Sequence, residues 1–256
     1  MKKNSLTILF EDSDIVIISK PSGLLSIPDR FKKDEPNVRR ILEEKYGRIF
    51  VVHRLDRDTS GVMVFARTAA AHRHLSMQFE HHTMEKKYLA IVAGTVPKES
   101  IDIDIPLMPN PRVPGTMMPS ARGKESHTTV RVLERFRVAT YVECLLKTGR
   151  QHQLRVHCAA IGYPLLIDAT YGRAAEFRLS QIKRRYRLQK DTEEQPIMAR
   201  TTLHAHSLSF IHPSSLQPCT FVSDPPKDFK ALLTVLRKYS AALSSVTALL
   251  DEQQEL

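Results

Sequence analysis

The stretch His53-Arg54-Leu55-Asp56-Arg57-Asp58-Thr59-Ser60-Gly61 crowds charged groups between two apolar runs, Ile49-Phe50-Val51-Val52 and Val62-Met63-Val64-Phe65-Ala66. Runs of that kind read as strands, so the charges occupy a turn with a rigid mount on either side. A cation beside a carboxylate favours its ionised form by roughly one to three pKa units, and Asp56 has Arg54 and Arg57 as sequence neighbours. An ionised aspartate fixed in this way can serve as a nucleophile. The same residues also make an ordinary turn, in which Asp and Ser cap backbone amides, Gly61 supplies an unusual backbone angle and the arginines sit in solvent. Spacing alone favours the turn.

Three further stretches carry groups capable of chemistry. In Lys147-Thr148-Gly149-Arg150-Gln151-His152-Gln153-Leu154-Arg155-Val156-His157, a guanidinium at a helix start is a combination suited to phosphate. Thr148 and Gln151 form a Thr-x-x-Gln capping pattern for a helix from about Arg150 to Ile161. Alternatively, Leu154, Cys158 and Ile161 bury one face of that helix while Arg150, Gln151 and Arg155 are solvated. Tyr88, in Glu85-Lys86-Lys87-Tyr88-Leu89-Ala90, is of a kind that ordinarily packs in a core with its hydroxyl at the edge. The run Lys183-Arg184-Arg185-Tyr186-Arg187 suits phosphate contact and stacking, or a solvated helix face.

The elements that must position these groups follow from periodicity and turn residues. Ile8 to Phe10 and Asp14 to Ser19 read as short strands, with Lys20-Pro21-Ser22-Gly23 ending the second. Val38 to Tyr46 and Ala69 to His82 carry apolar residues at helical spacing, and Tyr88 to Ala93 reads as a buried strand. Residues 106–127, with five prolines and two glycines, read as one long loop. Strands are expected at Thr128 to Arg137, Tyr141 to Leu146, Leu203 to Phe210 and Thr220 to Val222. Phe229, Leu232, Leu233 and Leu236 mark one face of a C-terminal helix. The pattern is mixed α/β, read as a single catalytic-type domain over residues 1–240, with a helix end and polar tail over 241–256.

The order of residues in these segments resembles a known family. His53-Arg54-Leu55-Asp56-x-x-Thr59-Ser60-Gly61 closely resembles the signature around the catalytic aspartate of the RluA family of pseudouridine synthases. Thr148-Gly149-Arg150-x-His152-Gln153-Leu154-Arg155-x-His157 is similar to its second signature. The family also carries a tyrosine in a Lys-x-Tyr-x-Ala setting about thirty residues beyond the aspartate, and Tyr88 lies 88 − 56 = 32 residues on. Lys20-Pro21-Ser22-Gly23-Leu24, Tyr171-Gly172 and Leu203-His204-Ala205-His206-Ser207-Leu208 extend the resemblance over residues 7 to 238. Two segments depart from the family pattern, Ile167-Asp168-Ala169-Thr170 and Lys124-Glu125-Ser126-His127; they leave loop conformation and substrate choice open, not the chemistry.

The resemblance implies an α/β (α+β) fold with a large, mostly antiparallel mixed sheet, helices on its faces and a central cleft. It implies an isomerase that converts uridines of structured RNA, rRNA or tRNA, to pseudouridine without cofactor or metal. Asp56 would be the reacting carboxylate, Arg155 its ion-pair partner and Tyr88 the residue packed on the uracil. Arg54 would fill the stack vacated by the extruded base, and His53, Arg150, His152, Lys183, Arg184 and Arg185 would contact substrate. The small N-terminal RNA-binding domain of longer family members is not expected here, because the pattern begins almost at Met1. Two other classes compete. A glycoside or nucleoside hydrolase would also use an aspartate, but a second carboxylate paired with Asp56 by spacing is missing. A non-catalytic RNA-binding protein would not require Asp56. A protein kinase is excluded, since no glycine-rich loop, Asp-Phe-Gly or Ala-Pro-Glu segment occurs.

Bulk properties agree with a polyanionic partner. Thirty-eight Lys and Arg against twenty-eight Asp and Glu give a net charge of +10 and a pI near 9.6, a balance that suits nucleic acid. Three cysteines without a Cys-x-x-Cys pair offer no disulfide framework and suit a reducing cytoplasm. No export signal is recognisable at the start and no run approaches a membrane span. His204 and His206 share a strand face without the companions of a metal site, and no glycine-rich nucleotide cradle occurs. A monomer is expected.

Overall fold

Ile15-Val16-Ile17-Ile18 is an unbroken run of β-branched residues, the pattern of a strand covered on both faces, and all four are fully buried. The computed structural model describes residues 6–29, 34–187 and 192–242. The run lies in β2 (Ile15–Lys20), preceded by β1 (Thr7–Glu11). The chain continues through α1 (Val38–Tyr46), β3 (Phe50–Val51), β4 (Ser60–Ala66), α2 (Ala69–Glu80) and β5 (Glu85–Ala93). It then forms β6 (Ser100–Asp104), β7 (Leu107–Pro109), β8 (Met117–Pro119), β9 (His127–Arg135), β10 (Ala139–Leu146) and α3 (Gln153–Ala160). After a 3-10 turn at Leu179–Gln181 come β11 (Leu203–Ile211), β12 (Pro218–Val222) and α4 (Lys227–Ser240). Ten of these strands join one mixed sheet, while β7 and β8 pair separately. The fold is therefore α/β with a large mixed sheet, as expected.

By contacts the chain divides into two compact units. One comprises the residues up to Leu89 with Leu145–Gly149 and Leu203–Pro225; the other comprises Ala90–Cys144, Arg150–Thr202 and the residues from Pro226 on. In the first unit β4 is buried along its whole length. β2 runs antiparallel to it, from Ile15 opposite Ala66 to Lys20 opposite Gly61. β11 runs parallel to it, with His204 opposite Ser60 and Ala205 opposite Gly61. Gly61 has φ +123, and a Cβ there would stand 2.1 Å from the Ala205 carbonyl oxygen. Only glycine permits that approach. α1 covers this sheet with Val38 and Leu42, and Asn37 caps it by accepting the Arg40 N–H.

In the second unit β10, β9 and β6 are neighbours in that order, and β6 pairs antiparallel with β9. β6 escaped the sequence reading because Ser100-Ile101-Asp102-Ile103-Asp104 alternates polar and apolar over too short a run. The long loop expected over 106–127 is corrected as well, since β7 and β8 form an antiparallel hairpin there. Pro109 and Pro119 sit at the last positions of these strands, where a missing N–H is tolerated. Leu107 and Met117 bury against Val156 of α3.

The start of α3 is a second correction. It begins at Gln153, not near Arg150, and its N-cap is His152 in the left-handed region with φ 53 and no side-chain cap bond. The expected Thr148/Gln151 cap does not form there. Instead the Arg150 N–H donates to Gln153 Oε1 at 2.9 Å, so the side chain that reaches back lies two residues later. α4 buries Phe229, Leu232, Leu233 and Leu236 as its periodicity requires. The polar tail Asp251 to Glu255 lies outside the described residues.

Candidate active site

The turn that carries Asp56 is clamped from behind by the segment following β2. Lys20 is fully buried, and its ammonium donates to the carbonyls of Pro21 at 2.9 Å, Leu24 at 2.7 Å and Arg57 at 2.8 Å. Three donors thus meet three acceptors in the geometry that suits an ammonium. Ser26 Oγ accepts the Leu55 N–H at 3.1 Å and donates to the Leu55 carbonyl at 2.7 Å. The Gly23 N–H reaches the Arg57 carbonyl, and Ser22 Oγ donates to that of Asp58. The backbone on both sides of Asp56 is therefore fixed, and the Thr59 N–H closes the turn on the Asp56 carbonyl at 3.2 Å. Lys20→Met would leave buried carbonyls without their donor, an expected loss of about 3 kcal/mol in a urea melt.

Asp56 itself is half-buried, and Arg54 beside it is exposed. Arg57 turns its guanidinium to Glu35, so sequence adjacency to Asp56 does not describe where its charge goes. Tyr88 is partly buried against the apolar core of this unit. Burial first, and the negative charge of Asp56 second, push its phenol well above the ordinary range. Tyr88 thus keeps its phenol proton at physiological pH. Lys86, two residues before Tyr88 on the same strand face, is buried and donates to the Thr148 carbonyl at 3.2 Å. The sequence reading passed over Lys86, whose i,i+2 relation to Tyr88 was the available signal.

His53 is held as a neutral ring. Its Nε2 accepts the Val64 N–H at 3.1 Å, and it stacks on Phe79 with ring centroids 4.8 Å apart. Burial, reinforced by the nearby Lys86 cation, lowers its pKa to about 3. The unfolded chain binds a proton on this residue below about pH 6.5 while the folded chain does not. Stability from this group is hence fully present above about 6.5 and declines as pH falls toward 3, at a limiting slope of about 1.4 kcal/mol per unit. His53→Gln should flatten that slope in urea melts run across this range. His204 is also occupied structurally: Ser60 Oγ meets its Nδ1 at 2.9 Å and its Nε2–H donates to the Ser223 carbonyl at 2.8 Å. His206 shares that carbonyl at 3.0 Å.

The remaining residues singled out by sequence lie in the second unit. Arg155 is buried and forms a two-point ion pair with Asp168, Nε to Oδ2 at 2.7 Å and Nη2 to Oδ1 at 2.8 Å. Its guanidinium also lies 5.0 Å above the centroid of Tyr171. Asp168 accepts the N–H groups of Thr170 and Tyr171 as well. Burial opposes its ionisation, yet Arg155 and these amides hold its pKa below the usual carboxylate value. Asp168 and Tyr171 therefore form a mount that aims Arg155. Helix α3 is anchored beneath by a buried chain of bonds: Gln153 Nε2 to Thr128 Oγ1, Thr128 to His157 Nδ1, and His157 Nε2–H to the Ile105 carbonyl, each at 3.0 Å. Arg150 rests on the Glu125 carbonyl at 3.1 Å, and His152 Nδ1 meets the Tyr171 hydroxyl at 2.8 Å. Lys183 is half-buried while Arg184 and Arg185 are exposed, on the turn after the 3-10 segment.

A clamped carboxylate coupled to a protonated phenol, in a strongly basic chain, can act on a base or sugar that an RNA chain delivers. Comparison with known proteins agrees. The family described as RNA pseudouridylate synthase matches residues 14–160. A ribosomal large subunit pseudouridine synthase D of Nitrosomonas europaea is 35% identical over 91% of this chain and 65% of its own length, just under two thirds. A dual-specificity RNA pseudouridine synthase RluA of Vibrio vulnificus is 38% identical over 85% of this chain and 84% of its own. Among solved structures, human RNA pseudouridylate synthase domain containing 4 superposes with a TM-score of 0.67 at 25% identity, covering 90% of this chain and 93% of that one. Human RNA pseudouridylate synthase domain containing 1 gives 0.68 at 24% identity and 98% coverage of both chains, a likeness of fold.

Proposed function

The chain belongs to the RNA pseudouridylate synthase family, and from that premise we propose that Asp56 carries the isomerisation of uridine to pseudouridine in ribosomal RNA. The reaction breaks the bond between the ribose C1′ and uracil N1, turns the base and joins C1′ to C5. C5 gives up a proton and N1 gains one, so atoms and electrons balance within the substrate and no redox partner is needed. The observation that carries the reading is the turn around Asp56, whose main chain is pinned on both sides while its charge is felt by Tyr88. Fixed orientation of this kind is what a reaction with a detached, rotating base demands.

In this reading Asp56 reacts with the substrate, and Arg155, held by Asp168, supplies a positive charge to the reaction. Tyr88 packs on the uracil and, being protonated, donates rather than accepts. Reaching a base inside a helix requires its extrusion, and the exposed Arg54 takes the vacated place in the stack. Arg150 and His152 contact the RNA near the start of α3. The neutral His53 supports the turn from within and meets the substrate only at its edge. The enzyme works as a monomer in the cytoplasm, where its free thiols remain reduced.

The name of the Nitrosomonas relative favours large-subunit rRNA as substrate. The fuller coverage of the dual-specificity relative supports a second reading in which tRNA is modified too. Mapping pseudouridines in total RNA from wild-type and deletion strains decides between them. Loss of discrete sites in large-subunit rRNA alone supports the first, and loss in tRNA as well supports the second. An unchanged map, or release of free uracil by the pure enzyme, would overturn both.

A further inference from the structure

Three elements of the second unit bring cations and tyrosines to one patch. The turn after the 3-10 segment carries Lys183 and Tyr186, the end of α4 carries Lys238 and Tyr239, and the turn between β9 and β10 carries Arg137. Lys183 Nζ stands 5.6 Å from the centroid of Tyr186 and 5.6 Å from that of Tyr239. Lys238 Nζ stands 5.4 Å from the Tyr239 ring. Arg137 donates through its guanidinium to the Tyr239 carbonyl and through its N–H, at 2.8 Å, to that of Ser240. These separations are within the range of cation–π attraction.

The turn is built, not merely solvated. Its base is closed by the Phe177–Met198 bridge, and the Lys183 N–H returns to the Leu179 carbonyl at 2.9 Å. Arg185 has φ 55, a left-handed conformation that is unfavourable for a non-glycine residue and persists only where its surroundings impose it. Neighbouring arginines are neutralised: Arg237 by Glu134, Arg135 by Glu99 and Arg178 by Glu176. Among the described residues no carboxylate forms an ion pair with Arg137, Lys183, Arg184, Arg185, Arg187 or Lys238. The two lysines rest on aromatic rings, which orient an ammonium without cancelling its charge, and that charge remains for an external anion.

We propose that this patch is a docking site for the phosphodiester backbone of the RNA substrate, in addition to the residues that handle the uridine. Lys183, Lys238 and Arg137 take phosphates, and Tyr186 and Tyr239 are the platform that holds the lysines in place. The inference rests on the reading of the substrate as RNA and adds where the chain beyond the target nucleotide is gripped. Contacts of this kind set affinity and register without selecting a base.

The test uses the full-length enzyme, its Lys183→Ala/Lys238→Ala variant and a transcript of large-subunit rRNA. Affinity should fall about tenfold near 0.1 M salt, and the log–log salt dependence should lose about 1.4 to 1.8 from its slope, as two phosphate contacts require. The melting temperature should stay at the wild-type value, and Lys183→Arg/Lys238→Arg should restore binding. An unchanged dissociation constant and salt slope in the alanine variant would overturn the proposal. So would a loss confined to binding of phosphatidylglycerol vesicles. If the wild-type enzyme isomerised no uridine in any transcript while RNA binding still depended on these lysines, the catalytic reading would fall and this site would stand.

Discussion

Replacing Asp56 by Asn is expected to leave a folded, RNA-binding protein whose single-turnover rate is lower by about four orders of magnitude or more. The change is nearly isosteric, and the bonds that shape the turn run to main-chain atoms of Leu55, Arg57 and Asp58. The new amide would therefore stand where the carboxylate of Asp56 stands, without the charge. The measurement is pseudouridine formed by excess enzyme on a fixed amount of rRNA transcript, with RNA affinity and a urea melt as controls. A rate within about tenfold of wild type would show that another group carries the reaction.

Arg155→Ala should combine the largest loss of stability with a loss of activity. Asp168 is 1% exposed, and removing the partner of a buried ion pair strands a charge at a cost of about 3 to 5 kcal/mol. The second substitution in Arg155→Ala/Asp168→Asn removes that stranded charge, so the melt should recover most of the way while turnover stays abolished. Recovery of turnover in the double variant would mean that Arg155 serves only Asp168. Arg150→Ala offers the contrast: its guanidinium rests on an exposed carbonyl, so stability should change by no more than about 0.5 kcal/mol and the effect should fall on RNA affinity.

Local patterns carried much of this structure into the sequence. α1 begins and ends where its apolar spacing places it, at Val38 and Tyr46, because Asn37 caps its start and Gly47 follows its end. The strands around Asp56 were legible because each is a continuous apolar run. What could not be read is long-range. Nothing in Lys20-Pro21-Ser22 announces that its lysine will find a carbonyl 37 residues away. Arg155 gives no hint that it will pair with Asp168 thirteen residues on, across a helix end and two turns. The Thr148/Gln151 cap failed for the complementary reason: a local pattern was satisfied on paper, but Thr148 is buried and its carbonyl is engaged by Lys86. The hairpin at 107–119 was hidden by the prolines that end its strands.

The parallel seating of β11 beside β4 dictates when a newly made molecule can become competent. The ribosome releases Asp56 and β4 early, together with β2, which shields one edge of β4. On the opposite edge β3 meets Phe65 and Ala66 early, but Gly61 meets Ala205 only after more than 140 further residues have been synthesised (205 − 61 = 144). Throughout that interval the Ser60-Gly61 end of β4 lacks its parallel neighbour, and an uncovered strand end is a place where nascent chains recruit chaperones or associate with one another. Premature termination anywhere before residue 203 therefore leaves the turn of Asp56 without the strand that seats Ser60 and Gly61 beside it.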